Sequence, residues 1–390
     1  MTKLYLIRHA HAEGNLYRRV HGRYNSLLTE QGRRQVAALA GRFDRLEVDA
    51  LYSSPLTRCL HTAKAVSRTK GLPIRPEPGL MELGVGRWED VPFGYIQTHE
   101  PELCALFAGA SPLFQIEGGE GFAAAGERME TAVRRIAAAH PGQSVACVSH
   151  AMAIRALLAR LHGWGLEGIG RVKMSDNTAV SCLEVEENGE IRIVYESDSS
   201  HLPGELSTVI KKKAPGQEHL AFAFGDRNLW YRNWDPDLEK SLYLSCRREA
   251  WVDIHGPSEP FHGEDFYQVA RRCSEIDPRS VAVAYLGKEM VGMLQCDLDQ
   301  GAGEAVCFVP FVYMNPRFRH QGLGVQLIGQ AISLARPLGR SKLRLRCAPT
   351  NAVAKRFYTR YGFKKVGMAQ DSRVELELLE KDIGVPHAGV

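Results

Sequence analysis

The chain has 390 residues, 44% of them hydrophobic and 24% charged, a make-up that excludes a disordered or fibrous chain and leaves room for about two or three globular domains. Its 49 basic and 45 acidic residues leave a formal net charge of +4, too even to argue for a nucleic-acid or membrane partner. Nine scattered cysteines with no Cys-x-x-Cys pair exclude a zinc knuckle and a disulfide frame and suggest reduced thiols in a cytoplasm; no apolar run approaches the ~18 residues of a membrane span, and no signal peptide is expected before a strand that begins by Lys3.

In chain order, Leu4-Tyr5-Leu6-Ile7 reads as a short buried strand that turns polar at Arg8-His9. Ligands of α/β sheets sit beyond the carboxyl ends of strands. A neutral His there is a nucleophile, and an Arg offers a fork of donors that matches phosphate. A loop over Val20–Gly32 follows, and Thr29 caps a helix to about Phe43. Val48 to Tyr52 is a second strand, ending in Ser53-Ser54-Pro55-Leu56-Thr57-Arg58, which puts Arg58 one turn into the next helix. Pro76 to Leu83 is a Pro-rich loop carrying Glu82, and residues 84–122, rich in Gly and Pro, read as a cap over a pocket. A long helix, about Ala124 to Ala139, precedes Ser144-Val145-Ala146-Cys147-Val148-Ser149-His150, a second apolar strand ending in a His, with a helix from Ala151 to Leu161 behind it. Val180–Val185 and Ile191–Val194 form a hairpin around Asn188-Gly189.

Over residues 1–200 this pattern resembles the histidine phosphatase superfamily, the phosphoglycerate-mutase-like proteins. Arg8, His9 and Asn15 meet its opening motif, Ser53–Arg58 with Thr62-Ala63 its second-arginine helix, Glu82 its proton donor, and Val148-Ser149-His150 its second histidine. Ala10 stands where the family has Gly and Leu27 where it has Pro. The resemblance implies a three-layer α/β/α domain and phosphate-monoester hydrolysis with no metal ion. His9 would form a phosphohistidine, Arg8, Arg58 and His150 would hold the phosphoryl oxygens, and Glu82 would protonate the leaving alcohol. Asn15, His21 and Gly22 would line the substrate pocket. The stretch after Glu82, Leu83-Gly84-Val85-Gly86-Arg87-Trp88-Glu89-Asp90, lacks the basic run of the family's mutases, so mutase-type phosphotransfer is the alternative.

Residues 201–225, with Pro203-Gly204, Lys211-Lys212-Lys213 and Pro215-Gly216, read as a linker. The region from Leu229 to Phe266 is aromatic and suits a core or an acceptor pocket. Val281–Leu286 and Met290–Cys296 form a hairpin. A long strand, Ala305–Met314, contains Pro310, which has no ladder donor and so implies an edge or a bulge. It feeds the turn Asn315–Gly324 and a helix from Val325 to Ala335; such a turn aims amides at an anion, with the helix dipole behind them.

Arg319, Gly322 and Gly324, then Asn351, Tyr358 and Gly362-Phe363, resemble the GNAT acetyltransferases over residues 226–382. That implies an α+β domain with a mixed, mostly antiparallel, splayed sheet and acetyl-CoA as cosubstrate. Amides of Arg319, His320, Gln321, Gly322, Leu323 and Gly324 would bind pyrophosphate, Val312 and Met314 would pair with pantetheine, Asn351 would belong to the cofactor site, and Tyr358 would protonate the thiolate. Asp297, Asp299 and Glu304 stay open as the base that deprotonates an amine acceptor. The expectation is a bifunctional cytoplasmic enzyme acting on a small phosphate monoester and an amine, with no nucleic-acid or membrane partner. The alternatives are a phosphatase whose GNAT half only binds CoA as a regulator, and a phosphohistidine- or phosphopeptide-binding module.

Overall fold

The computed structural model describes residues 1–209, 227–257, 259–371 and 374–385. Most of the stretch read as a linker, Lys211-Lys212-Lys213 included, lies outside the described residues. The chain divides into two compact units, the second being Arg227–Val385. Among the described residues no helix is long and apolar enough to cross a membrane.

The first unit contains, in order, β1 (Thr2–Arg8), α1 (Glu13–Tyr17), α2 (Glu30–Asp44), β2 (Ala50–Ser53), α3 (Thr57–Lys70), β3 (Ile74–Pro76), α4 (Phe93–His99), α5 (Pro101–Ala108), α6 (Phe122–Ala138), β4 (Ser144–Ser149), α7 (Ala151–Leu161), β5 (Val180–Val185) and β6 (Ile191–Asp198). The sheet order is β3-β2-β4-β1-β5-β6. The first four strands are parallel to one another, β5 runs against them, and β6 reverses again to run antiparallel to β5. β1 and β4 read as unbroken apolar runs because both of their faces are covered. Leu4, Leu6, Val145 and Cys147 join one core with Met129 and Val133 of α6 and Leu157 of α7. Tyr5, Ile7, Ala146 and Val148 join the other with Leu39 and Phe43 of α2 and Val66 of α3. This is the three-layer arrangement expected from the sequence.

The segment between β3 and α6 carries its own aromatic core. Trp88, only 1% exposed, packs edge-on to Phe107 at 5.9 Å and against Phe114 at 5.6 Å, and its indole N–H donates to Glu100. Residues 201–209 are anchored to this first unit: Gln35 Nε2 donates to the Leu206 carbonyl at 2.8 Å, and Arg34 pairs with Glu205.

The second unit contains β7 (Leu229–Asn233), α8 (Lys240–His255), α9 (Gly263–Ile276), β8 (Val281–Leu286), β9 (Glu289–Asp297), β10 (Val306–Met314), α10 (Gly324–Ala335), β11 (Lys342–Cys347), α11 (Ala352–Arg360), β12 (Lys364–Asp371) and β13 (Val374–Asp382). Its sheet order is β12-β13-β11-β10-β9-β8-β7, and β10–β11 is its parallel pairing. Pro310 sits at a bulge: the β9–β10 register shifts between Phe308 and Phe311. Among the described residues β10 pairs with β11 only over Val306–Phe308, so the two strands part beyond that point. The sheet is thus mixed, mostly antiparallel and splayed. Tyr243 and Cys246 of α8, Tyr267, Ala270 and Cys273 of α9, and Phe311 and Tyr313 of β10 form one core on one face of this sheet.

Truncating Trp88→Ala should cost about 3–5 kcal/mol, the range for emptying an aromatic-sized core site. Urea unfolding followed by the first unit's signal should show it; a loss under about 1 kcal/mol would mean that the cap collapses around the gap.

Candidate active site

The register Arg8↔Ser149 in the parallel β1–β4 pair brings both strands to the same sheet edge at the same level. His9 and His150, each one residue beyond its strand, therefore stand side by side, with ring centroids 5.2 Å apart and planes at 61°. The His9 amide donates to the Ser149 carbonyl at 2.9 Å, and the Ser54 amide donates to Val148 at 2.9 Å, so β2 ends at this edge too. Arg8 is buried, and its guanidinium donates to the Ser175 carbonyl. Arg58 is 1% exposed; it donates to the carbonyls of Tyr24 at 2.9 Å and Gly22 at 2.6 Å. The buried Nε of Arg58 and Oγ of Ser26 find no partner among the described residues.

His9 Nδ1 lies 2.8 Å from the Ala10 carbonyl. A carbonyl only accepts, so Nδ1 carries the proton and Nε2 keeps its lone pair. Burial, with Arg58 and Arg8 close by, holds the His9 imidazole well below its ordinary pKa. Burial first, then Arg58 and His9, does the same to His150, whose Nε2 lies 2.8 Å from Ser54 Oγ. His11 is pushed down to about 4 by burial, then Arg8 and Arg18. The site therefore joins buried guanidinium cations to neutral imidazoles. Thr62 ties Arg58 to the strand end, accepting from the Ala10 amide at 2.9 Å and donating to the Arg58 carbonyl at 2.7 Å.

Glu82, 8% exposed, meets the first turn of α7. Its carboxylate accepts from the amides of Ala153 at 2.9 Å, Met152 at 3.3 Å and Leu83 at 3.0 Å. Asn15 Oδ1 accepts from the Ala12 amide at 3.0 Å and so helps start α1. His21 Nε2 lies 3.1 Å from Asp90 Oδ1, and burial lowers its pKa against the pull of that carboxylate. Gly22 is needed for its smallness: a Cβ there would come within 2.5 Å of the Leu83 carbonyl oxygen and Glu89 Oε1. All eight residues singled out for this half (Arg8, His9, Asn15, His21, Gly22, Arg58, Glu82 and, through the neighbouring ring of His9, His150) converge here, and the first seven line one cavity of about 360 Å³.

Other parts of that cavity escaped the sequence reading. Arg155, on α7, lines it and donates to the Val172 and Ile169 carbonyls; burial lowers its pKa to about 10. Ser207 and Thr208 line it as well. They are held by Asp176, which accepts from the amides of Thr208 at 2.6 Å and Val209 at 2.8 Å and from Ser207 Oγ at 2.9 Å. The next residue, Asn177, donates through Nδ2 to the His9 carbonyl at 2.9 Å. The hydrogen-bonding composition of Ser199–Thr208 was the available signal, but it reads equally well as a linker.

In the second unit, β10 ends at Met314 and Arg319 Nε donates back to the Met314 carbonyl at 2.8 Å. His320 and Gly322 both adopt positive φ, +59° and +78°, in the turn that leads into α10 at Gly324. Alternating backbone of this kind gathers amides into an anion-binding concavity at a helix N-terminus. A Cβ on Gly324 would come within 3.3 Å of the Phe357 ring, so α10 and α11 meet closely. Val312 and Met314 lie on the part of β10 that has left β11. Asn351 caps α11, its Oδ1 accepting from the Ala354 amide at 2.9 Å, which is a structural use of that side chain. Tyr358 is half-buried between Phe357 and Phe363, and burial raises its pKa.

Residues 4–197 match the histidine phosphatase superfamily (branch 1), and residues 244–363 match the acetyltransferase (GNAT) family. The chain is 29% identical over 191 residues to phosphoserine phosphatase 1 of Hydrogenobacter thermophilus, covering 49% of this chain and 90% of that protein. It is 30% identical over 188 residues to a probable phosphoglycerate mutase GpmB of Yersinia pestis, covering 48% and 87%. Among solved structures, Bacillus stearothermophilus YhfR superposes with a TM-score of 0.50 at 31% identity, covering 52% of this chain and 99% of that one. Strand ends, paired histidines and relatives thus agree, and the chain belongs to the histidine phosphatase superfamily through its first half and carries a GNAT acetyltransferase domain in its second.

Proposed function

We propose that the first unit hydrolyses small phosphate monoesters through a phosphohistidine on His9, and that the second transfers acetyl from acetyl-CoA to an amine. The observation that carries the first part is the His9 Nδ1–H bond to the Ala10 carbonyl, which leaves Nε2 as a bare nucleophile inside a cationic cavity. A phosphate monoester is close to a dianion at neutral pH. Arg8 and Arg58 compensate that charge, and the unpartnered Arg58 Nε and Ser26 Oγ are donors suited to its oxygens. Nε2 attacks phosphorus, the ester P–O bond breaks, and Glu82, which enters the step as the neutral carboxylic acid, gives the leaving alkoxide its proton. Glu82 then takes a proton from the water that splits the phosphohistidine, returning both residues to their starting states. His150 holds a phosphoryl oxygen, and Asn15, His21 and Gly22 wall the substrate.

In the second unit the turn from Arg319 to Gly324 supplies amides for the pyrophosphate, and Val312 and Met314 supply strand pairing for the pantetheine. Asn351 fixes the start of the helix that carries Tyr358. Tyr358, kept protonated by burial, protonates the departing thiolate. The relatives, a phosphoserine phosphatase and a probable phosphoglycerate mutase, support a small phosphorylated acid or amine as substrate, and the fusion supports one aminated phosphometabolite serving both halves.

His9→Ala should lower phosphatase turnover by about 10³-fold or more, and alkaline quenching of the wild type during turnover should show phosphorus on that ring. A variant within about tenfold of wild type would end the role given to His9. The depressed pKa has a sign: His9 takes up its proton only below the ordinary histidine range, so imidazole NMR should show a neutral, Nδ1-protonated ring at pH of about 6 in the phosphate-free protein. A midpoint at or above about 6.5 would contradict this. Tyr358→Phe should cut acetyl transfer by about 10²-fold while calorimetry finds acetyl-CoA affinity nearly intact; unchanged turnover would remove Tyr358 from the chemistry.

A further inference from the structure

Acetyl transfer needs a group that takes a proton from the acceptor, because an ammonium has no lone pair with which to attack. The carboxylates that the sequence offers sit at the wrong end of β10. Asp297 pairs with Phe308, where β10 is still bonded to β11, and its Oδ1 accepts from the amides of Asp299 at 3.0 Å and Gln300 at 2.9 Å to close the turn after β9. Asp299 belongs to that same turn, and Glu304 pairs with Arg344 at 2.7 Å. The slot for an extended ligand opens later, beyond Phe308, where β10 has no partner on the β11 side among the described residues.

Helix α8 tracks that open half. Arg247 Nη1 donates to the carbonyl of the bulge residue Pro310 at 2.9 Å, the Tyr313 hydroxyl donates to Glu249 Oε2 at 2.6 Å, and Arg319 Nη1 pairs with Asp253 Oδ2 at 2.9 Å. The helix has two flanks. Arg247 and Trp251 turn toward α9, where both meet Phe266. Glu249 and Asp253 take the other flank and meet β10 and the turn that follows it. The charge of Asp253 is balanced by Arg319, whereas Glu249 is exposed and is bonded by a neutral hydroxyl. On the opposite face of the sheet Leu327 of α10 closes over Gly292, beside Met314.

We propose that Glu249 is the acceptor-side carboxylate of the acetyl-transfer site, recognising a primary ammonium at the α8 side of the slot and taking its proton. This rests on the acetyltransferase reading given above. In the step, R–NH3+ gives a proton to the Glu249 carboxylate, and the free amine nitrogen bonds to the thioester carbon. The C–S bond breaks, the thiolate leaves with a proton from Tyr358, the amide nitrogen's surplus proton makes good the one Tyr358 gave, and Glu249 releases its proton to solvent. Tyr313 is a positioning residue: its ring is fixed in the core between strand and helix, and its hydroxyl fixes the carboxylate.

The test uses the full chain, with thiol release from acetyl-CoA followed against ethanolamine, L-serine, putrescine and L-lysine, and acetyl-CoA affinity measured apart by calorimetry. Glu249→Gln should lower kcat/KM for the best amine by about 100-fold at pH 7, and the deficit should shrink as pH approaches the amine's own pKa of about 10, where no base is needed. Tyr313→Phe, which keeps the buried ring, should show a smaller loss with the same pH dependence. Wild-type rates and an unchanged pH profile in Glu249→Gln would overturn the proposal, as would a wild type that binds acetyl-CoA yet acetylates none of these amines. A wild type that binds no acetyl-CoA would instead overturn the reading on which the proposal rests.

Discussion

The parallel, in-register pairing of β1 with β4 is the constraint from which the phosphatase half follows. Because Arg8 stands opposite Ser149, the next residue of each strand is a histidine at the same height, and the His9 amide bonds to the Ser149 carbonyl between them. A slip of one residue would send Leu4, Leu6, Val145 and Cys147 into the core shaped around Tyr5, Ile7, Ala146 and Val148, so the fit of two unlike cores also fixes the distance between the imidazoles. Site geometry and core packing are one requirement here.

The electrostatics follow from burial. Two guanidiniums beside two imidazoles would repel if all four were charged, and burial resolves the conflict on the weaker bases: the histidines become neutral while the arginines stay cationic, Arg8 even when lowered to about 10. That division suits a nucleophile next to an anion clamp. The cost of the buried guanidiniums is met by carbonyls of Ser175, Tyr24 and Gly22, which fix their direction without neutralising them.

Much of this was legible in the sequence for a specific physical reason. A strand covered on both faces must be apolar throughout, so the residue where polarity returns marks the sheet edge, and His9 and His150 announce themselves there. The Gly322 turn and Pro310 bulge were legible because backbone rules restrict what such residues can do. Short or mixed elements hid. β3 contains only Ile74, Arg75 and Pro76, and its last residue reads as the start of the Pro-rich loop. In α9 the buried positions Tyr267, Ala270 and Cys273 follow helical spacing, but the surrounding aromatics masked it. The hold of Asp176 on Ser207 and Thr208 hid for another reason: it joins positions far apart in sequence through side chains that are common in any loop.

The two halves open their sheets by opposite means. In the first, several strands stop together and the side chains beyond their ends line the cavity. In the second, one strand continues after its neighbour has turned away, so that its own amides and carbonyls are left for a partner that is not protein. An unpaired inner strand costs free energy unless something occupies the gap. The bulge at Pro310 lowers that cost by twisting β10 where the separation begins, and Arg247 fastens the freed Pro310 carbonyl to α8. The helix that steadies the open strand thereby also borders the slot, which is why its side chains, and not those of the β9–β10 turn, are placed to meet a second substrate.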